Sequence, residues 1–104
     1  MNKQQALDLL INKLSAIDDQ EEMKWFLKCI LTDTELDNIA DRIRIYATLS
    51  QQQYSQREIA KRLAVSITKV TRGAANFHVL QNNEYFQSLF HATTNQSNNI
   101  TPDS

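Results

Sequence analysis

Cysteine, glycine and proline are each present once in the 104 residues, and each scarcity closes off a class of protein. A lone Cys29 can form neither an intrachain disulfide nor a thiolate-rich metal site, which fits a reducing compartment. One Gly and one Pro leave few of the turn signals that strands require, so an all-β or mixed fold is excluded. The first residues, MNKQQALDLLINKLSAIDD, hold only short apolar pairs, and no run of about 18 apolar residues occurs anywhere. The sequence therefore predicts no membrane span, no secretory leader and a cytoplasmic location. His78 and His91 stand near no evident acid, nucleophile or ligand cluster, and Cys29 falls in an apolar helical stretch, which argues against an enzyme and against a bound metal or other resident cofactor.

A strong excess of one charge is also missing, since eleven basic and twelve acidic residues leave a net charge of −1. Its distribution is uneven. Residues 1–41 carry −5, residues 42–72 carry +6 and residues 73–104 carry −2, so the basic charge is gathered into one stretch.

What is present is helical periodicity, over a length that suits one compact domain. Leu7, Leu10, Ile11 and Leu14 define a face of a first helix. Met23, Phe26, Leu27, Ile30 and Leu31 define a second, with a break at Ile17-Asp18-Asp19. Thr32-Asp33-Thr34-Glu35 has the form of a capping box and opens a third helix, whose apolar side is Leu36, Ile39, Ile43 and Tyr46 and which ends near Ser50. Ser55-Gln56-Arg57-Glu58 repeats the box. A weaker helix spans about 84–92, and the polar stretch 93–104 reads as a disordered tail. The expected fold is thus all-α, about six helices, with residues 1–92 forming a single domain.

From Gln56 the chain runs QREIAKRL, AVS and ITKVTRGAANF: a short helix, a turn of about three residues and a second helix. Ile59 and Leu63 face inward, Ala60 is small at the crossing, and Val65, Ile67 and Val70 complete a miniature core. Ser66 caps the second helix, leaving a positive dipole end near Thr68 and Lys69 that suits phosphates and base edges. Arg57, Lys61, Arg62, Lys69 and Arg72 surround the unit. A solvated helix pair can carry such charges without function, but two caps, a short turn, a small crossing residue and one-signed charge agree on a DNA-reading helix-turn-helix at about 55–77. Ala64 stands where such turns commonly have Gly for a left-handed conformation.

Gly73 lies within the helical pattern, where it costs about 1 kcal/mol relative to Ala. A flat ligand or a close helix needs the missing side chain; a helix end at this point is the bland alternative. Arg72 and Asn76, four apart, share the neighbouring face. Arg42, between Ile39 and Tyr46, can run its stem along an apolar stripe and present its guanidinium. A pair of arginines suits an aromatic amino acid, since guanidinium groups stack on rings and bind carboxylates.

The segments LTDTELDNIADRIRI, YSQREIAKRL and VTRGAANF resemble the trp operon repressor family, in order and without a gap between Leu31 and Phe77, over about half the chain. The resemblance implies an intertwined homodimer that represses tryptophan biosynthesis by binding operator DNA with L-tryptophan as corepressor. It further implies that Arg42 and Arg72 sandwich the indole, that Gly73 gives it room, and that Thr32 and Arg72 hold the carboxylate. The ammonium would meet the carbonyls of Cys29 and Leu31 of the partner chain and residue 76, where Asn76 replaces the family's usual Ser. Tyr46 replaces a smaller aliphatic residue near that pocket. For DNA, the resemblance puts Gln56, Arg57 and Thr71 at the backbone or flanking bases and Ile67, Thr68 and Lys69 at the major groove. Thr68 and Lys69 are larger than the family's usual residues, which bears on the operator sequence. The alternatives left open are a regulator with a different aromatic ligand or none, and a helical interaction module.

Overall fold

The computed structural model describes residues 1–90, so the tail expected at 93–104 and the end of the last helix lie outside the described residues. Six helices and no strands occur among them, as the periodicity implies. The chain divides into two compact units, Met1–Asp37 and the part from Asn38 onward.

In the first unit, α1 (Lys3–Ala16) begins at Asn2, whose side chain accepts from the Gln5 N–H at 2.8 Å while Gln5 returns the bond to the Asn2 N–H. This box has the N-x-x-Q form and was not legible as S/T-x-x-E. The second helix, α2 (Gln20–Ile30), is capped by Asp19, with Glu21 and Glu22 at its positive dipole end and Lys28 in its last turn. Neither helix contains a buried residue. Leu10, Leu14, Met23, Phe26 and Leu27 are half-buried, whereas Leu7, Ile11, Trp25 and Ile30 are exposed.

The long helix α3 (Asp33–Ser50) crosses from one unit to the next. Its start is the predicted capping box: the Thr32 hydroxyl accepts from the Glu35 N–H at 3.1 Å, and the Glu35 carboxylate accepts from the Thr32 N–H at 2.8 Å. Of the apolar side expected for it, Leu36 is half-buried and Tyr46 buried. Ile39 and Ile43 are exposed, and the buried residues are Ile45 and Tyr46. The row that meets the rest of the second unit is offset from the Leu36–Ile43 stripe, and that row includes Ile45, which the periodicity passed over.

The second unit continues with α4 (Gln56–Leu63), α5 (Ile67–Leu80) and α6 (84–90). Its core is Ile45, Ile59 and Val70, with Leu49, Tyr54, Ala60, Leu63 and Val65 packed against it. One helix from each side of the turn and one from α3 thus supply the three buried aliphatic side chains. A second cluster is aromatic: the Tyr46 ring lies 6.1, 5.4 and 5.7 Å from those of Phe77, Phe86 and Phe90. Two of these contacts are edge-on, the geometry ring quadrupoles favour. They hold α6, capped by Asn83 on the Phe86 N–H, against α3, and the Phe77–Phe86 contact at 5.5 Å holds it against α5.

Candidate functional site

The Ser55–Glu58 box opens α4, with bonds of 3.2 Å from the Glu58 N–H to the Ser55 hydroxyl and 2.9 Å from the Ser55 N–H to the Glu58 carboxylate. After Leu63 the chain turns through Ala64 in the left-handed region, φ 56° and ψ 45°. The Val65 N–H returns to the Ala60 carbonyl at 3.1 Å and the Ala64 N–H to that of Lys61 at 3.3 Å, which satisfies the carbonyls at the end of α4. Ser66 then caps α5 through the Lys69 N–H at 3.1 Å. Ile59 and Val70, both fully buried, seal the crossing of the two helices.

The residues expected at DNA occupy this unit as follows. Gln56, Arg57 and Lys61 are exposed on α4, and Ile67, Thr68, Lys69 and Thr71 are exposed in the first turns of α5. Ile67, assigned also to the miniature core, is 46% exposed, because as the first residue of α5 it lies a turn beyond the Val70 crossing. The Thr71 hydroxyl donates to the Gln56 side-chain oxygen at 3.1 Å, linking two of these residues across the helix pair. Arg62 stacks its guanidinium 4.0 Å from the centre of the Tyr54 ring, so its charge is fixed against the protein surface. Lys69 points its ammonium back to α3, donating to Asp41 at 2.8 Å and to Asn38 at 3.3 Å.

Beside this unit lies a cleft of about 270 Å³ between α3 and α5, lined by Asn38, Asp41, Arg42 and Ile45 on one wall and Lys69, Arg72, Gly73 and Asn76 on the other. Four of the residues expected at a ligand, Arg42, Arg72, Gly73 and Asn76, are therefore brought together from helices about thirty residues apart in sequence. Gly73 is no helix end, since α5 continues to Leu80; it is buried, and a Cβ built on it would stand 2.8 Å from Ile45 Cγ2. A close helix is thus what the missing side chain admits, and the cleft opens beside that contact. Tyr46 is not at the cleft: it is 8% exposed and its ring is committed to the aromatic cluster on another side of α3. Thr32, Cys29 and Leu31 belong to the first unit, as the cap of α3, an exposed thiol and the C-cap of α2.

Sequence reasoning passed over Asn38, Asp41, Arg44 and Ile45. Arg44 donates to Asp41 at 3.1 Å and to the Leu63 carbonyl at 2.6 Å, fastening the end of α4 to α3. The Lys69 hydrogen bond chiefly holds the Asp41 carboxyl below the usual aspartate range; desolvation opposes it, and the Lys69 and Arg44 charges add to the lowering. The i, i+3 spacing of Asp41 and Arg44 was a readable signal. The tie to Lys69 was not. Among the described residues no group of His, Cys, Asp and Glu is arranged to hold a metal ion, and no helix is long and apolar enough to cross a membrane.

A short capped helix, a turn through a left-handed residue and a second capped helix sharing one small core define a DNA-binding protein of the helix-turn-helix class. The chain belongs to the Trp repressor family, whose description, Trp repressor protein, matches residues 5–93. A Trp operon repressor homolog of Xylella fastidiosa (strain M23) is 51% identical over 76 residues, 73% of this chain and 83% of that protein. Similar proteins of the same description occur in Vibrio atlanticus (strain LGP32), 34% identical over 70% of each chain, and in Vibrio cholerae serotype O1, 37% identical over 68% of this chain and 65% of that one. No solved structure gives a significant match. The chain is accordingly a transcriptional repressor and not an enzyme.

Proposed function

We propose that this repressor binds operator DNA as a homodimer and takes L-tryptophan as corepressor in the cleft between α3 and α5, so that tryptophan biosynthesis is shut down when its product is abundant. The observation that carries the reading is the convergence of Arg42, Arg72, Gly73 and Asn76 on that one cleft. Two guanidinium groups can stack on the faces of an indole and donate to the amino acid's carboxylate, and the Asn76 amide oxygen can accept from the ammonium. The cleft is close in size to the small end of ligand pockets, about 300 Å³, as a single amino acid requires.

Exposed Ile39 and Ile43, which a lone subunit leaves in water, support the homodimer. On the DNA side, exposed Arg57 and Lys61 suit phosphates, and Ile67, Thr68 and Lys69 at the N-terminus of α5 suit the major groove. One titration tests the reading: calorimetry with L-tryptophan, followed by binding to a duplex carrying operator sequence selected by the protein itself, with and without the amino acid. Tryptophan should bind and should tighten the DNA complex.

A second reading, a repressor that binds DNA without a small ligand, is favoured by one observation. Lys69 and Asp41 already span the two walls of the cleft, so the protein has a fastening of its own there. Equal DNA affinity with and without tryptophan would make it the better one.

A further inference from the structure

The Lys69 ammonium is committed twice to α3, to Asp41 at 2.8 Å and Asn38 at 3.3 Å, although its Cα lies in the first turn of α5. Ile67 and Thr68, its neighbours in that turn, keep their side chains exposed. Asp41 is itself fixed: its other oxygen accepts from Arg44, whose second amino group is held by the Leu63 carbonyl. The carboxylate is therefore an anchored acceptor that faces the lysine.

We infer that Asp41 is a positioning residue for DNA binding: it draws Lys69 toward α3, so that the lysine must leave Asp41 before it can reach a phosphate or a base edge. The inference rests on α5 being the DNA-facing helix. Two physical features make the exchange feasible. The Lys69 side chain is 45% exposed against 20% for Asp41, and an ion pair whose cation is this open to water holds only modestly, so its loss can be offset by a phosphate. The amino group also sits on a flexible four-carbon stem, which can swing without moving α5. Asp41 thereby sets a penalty on DNA contact that the bare count of seven basic residues at 42–72 does not reveal.

The test uses the full chain, a duplex selected by the parent protein and a mixed-sequence duplex, each titrated over a range of salt. Asp41→Asn keeps the shape and the acceptor for Arg44 but removes the charge that holds Lys69. It should raise affinity for both duplexes, by up to about fivefold per subunit. It should also steepen the fall of log K with log salt by about 0.9 for each lysine newly engaged with phosphate. In a Lys69→Met background the same substitution should do neither. Asp41→Ser, carried in parallel with thermal melts, guards against an effect peculiar to the amide.

An Asp41→Asn gain that persists in Lys69→Met would reduce the effect to general charge and overturn the inference. An unchanged or lowered affinity in folded Asp41→Asn and Asp41→Ser would overturn it as well. Failure of the parent to bind either duplex would instead remove the DNA-facing reading of α5 on which the inference rests, a different and recognisable result.

Discussion

Gly73 and Ile45 meet so closely that a single added methyl on Gly73 would lie 2.8 Å from Ile45 Cγ2, inside any normal van der Waals separation. Ile45 is 2% exposed and branched at Cβ, so that atom has little freedom to retreat. Gly73→Ala gains about 1 kcal/mol of helix propensity but forces overpacking that costs about 1–3 kcal/mol. The net expectation is a protein less stable by up to about 2 kcal/mol, read as a lowered denaturant midpoint. Combining it with Ile45→Ala should make the glycine substitution nearly harmless, a coupling that a double-mutant cycle measures.

Ala64 tests the turn from the opposite direction. Its φ of 56° costs a non-glycine residue about 1 kcal/mol, and its carbonyl-satisfying turn is already formed. Ala64→Gly should therefore raise stability by about that amount without altering the helices on either side. A lower midpoint would mean that the alanine methyl makes a packing contribution larger than the strain.

Acid should weaken the fold through three carboxylates. Glu35 and Glu58 are held below the usual glutamate range chiefly by the backbone N–H groups of Thr32 and Ser55, and Asp41 below the aspartate range chiefly by Lys69. A depressed folded-state pKa means that folding favours the ionised form. Its stabilisation is complete above the ordinary carboxylate pKa and is lost as pH falls through the depressed value. Denaturant midpoints should thus be flat near neutrality and decline below about pH 4. Glu58→Gln should lower the neutral plateau and make the acid decline shallower.

The exposed α3 face gives a test of assembly. Ile43 is 53% exposed, and placing a charge there costs a lone subunit little while opposing burial in a dimer. Ile43→Asp should shift sedimentation at micromolar concentration toward the monomer. The same association in parent and variant would locate the interface elsewhere.

The parts of this molecule that were legible in the sequence are those whose cause is local. Thr32, Ser55 and Ser66 cap helices because their partners lie three residues on, and Ala64 turns left-handed because the helix ends there. The helical period also found Ile59 and Val70. On α3 it grouped Ile39 and Ile43 with Tyr46 and passed over Ile45, because only the neighbour's ridges decide which row is covered. The convergence of Arg42, Arg72, Gly73 and Asn76 was anticipated through the family resemblance, not through spacing. The Lys69–Asp41 pair joins residues far apart on different helices, and no pattern within either helix announces it. For Tyr46 the misplacement has the same origin, since Phe86 and Phe90 claim its ring from a helix that follows α5.

The absence of any buried residue in α1 and α2 has a consequence for the order in which the protein is made. Helices at the N-terminus leave the ribosome first, and these emerge with Leu7, Ile11, Trp25 and Ile30 uncovered. The second unit, by contrast, closes its core with residues of its own, Ile45, Ile59 and Val70, as soon as the chain reaches α5. Synthesis therefore produces a segment with uncovered apolar side chains before the segment that holds the buried core. Apolar helices left uncovered in that interval are the part of the nascent chain most open to aggregation.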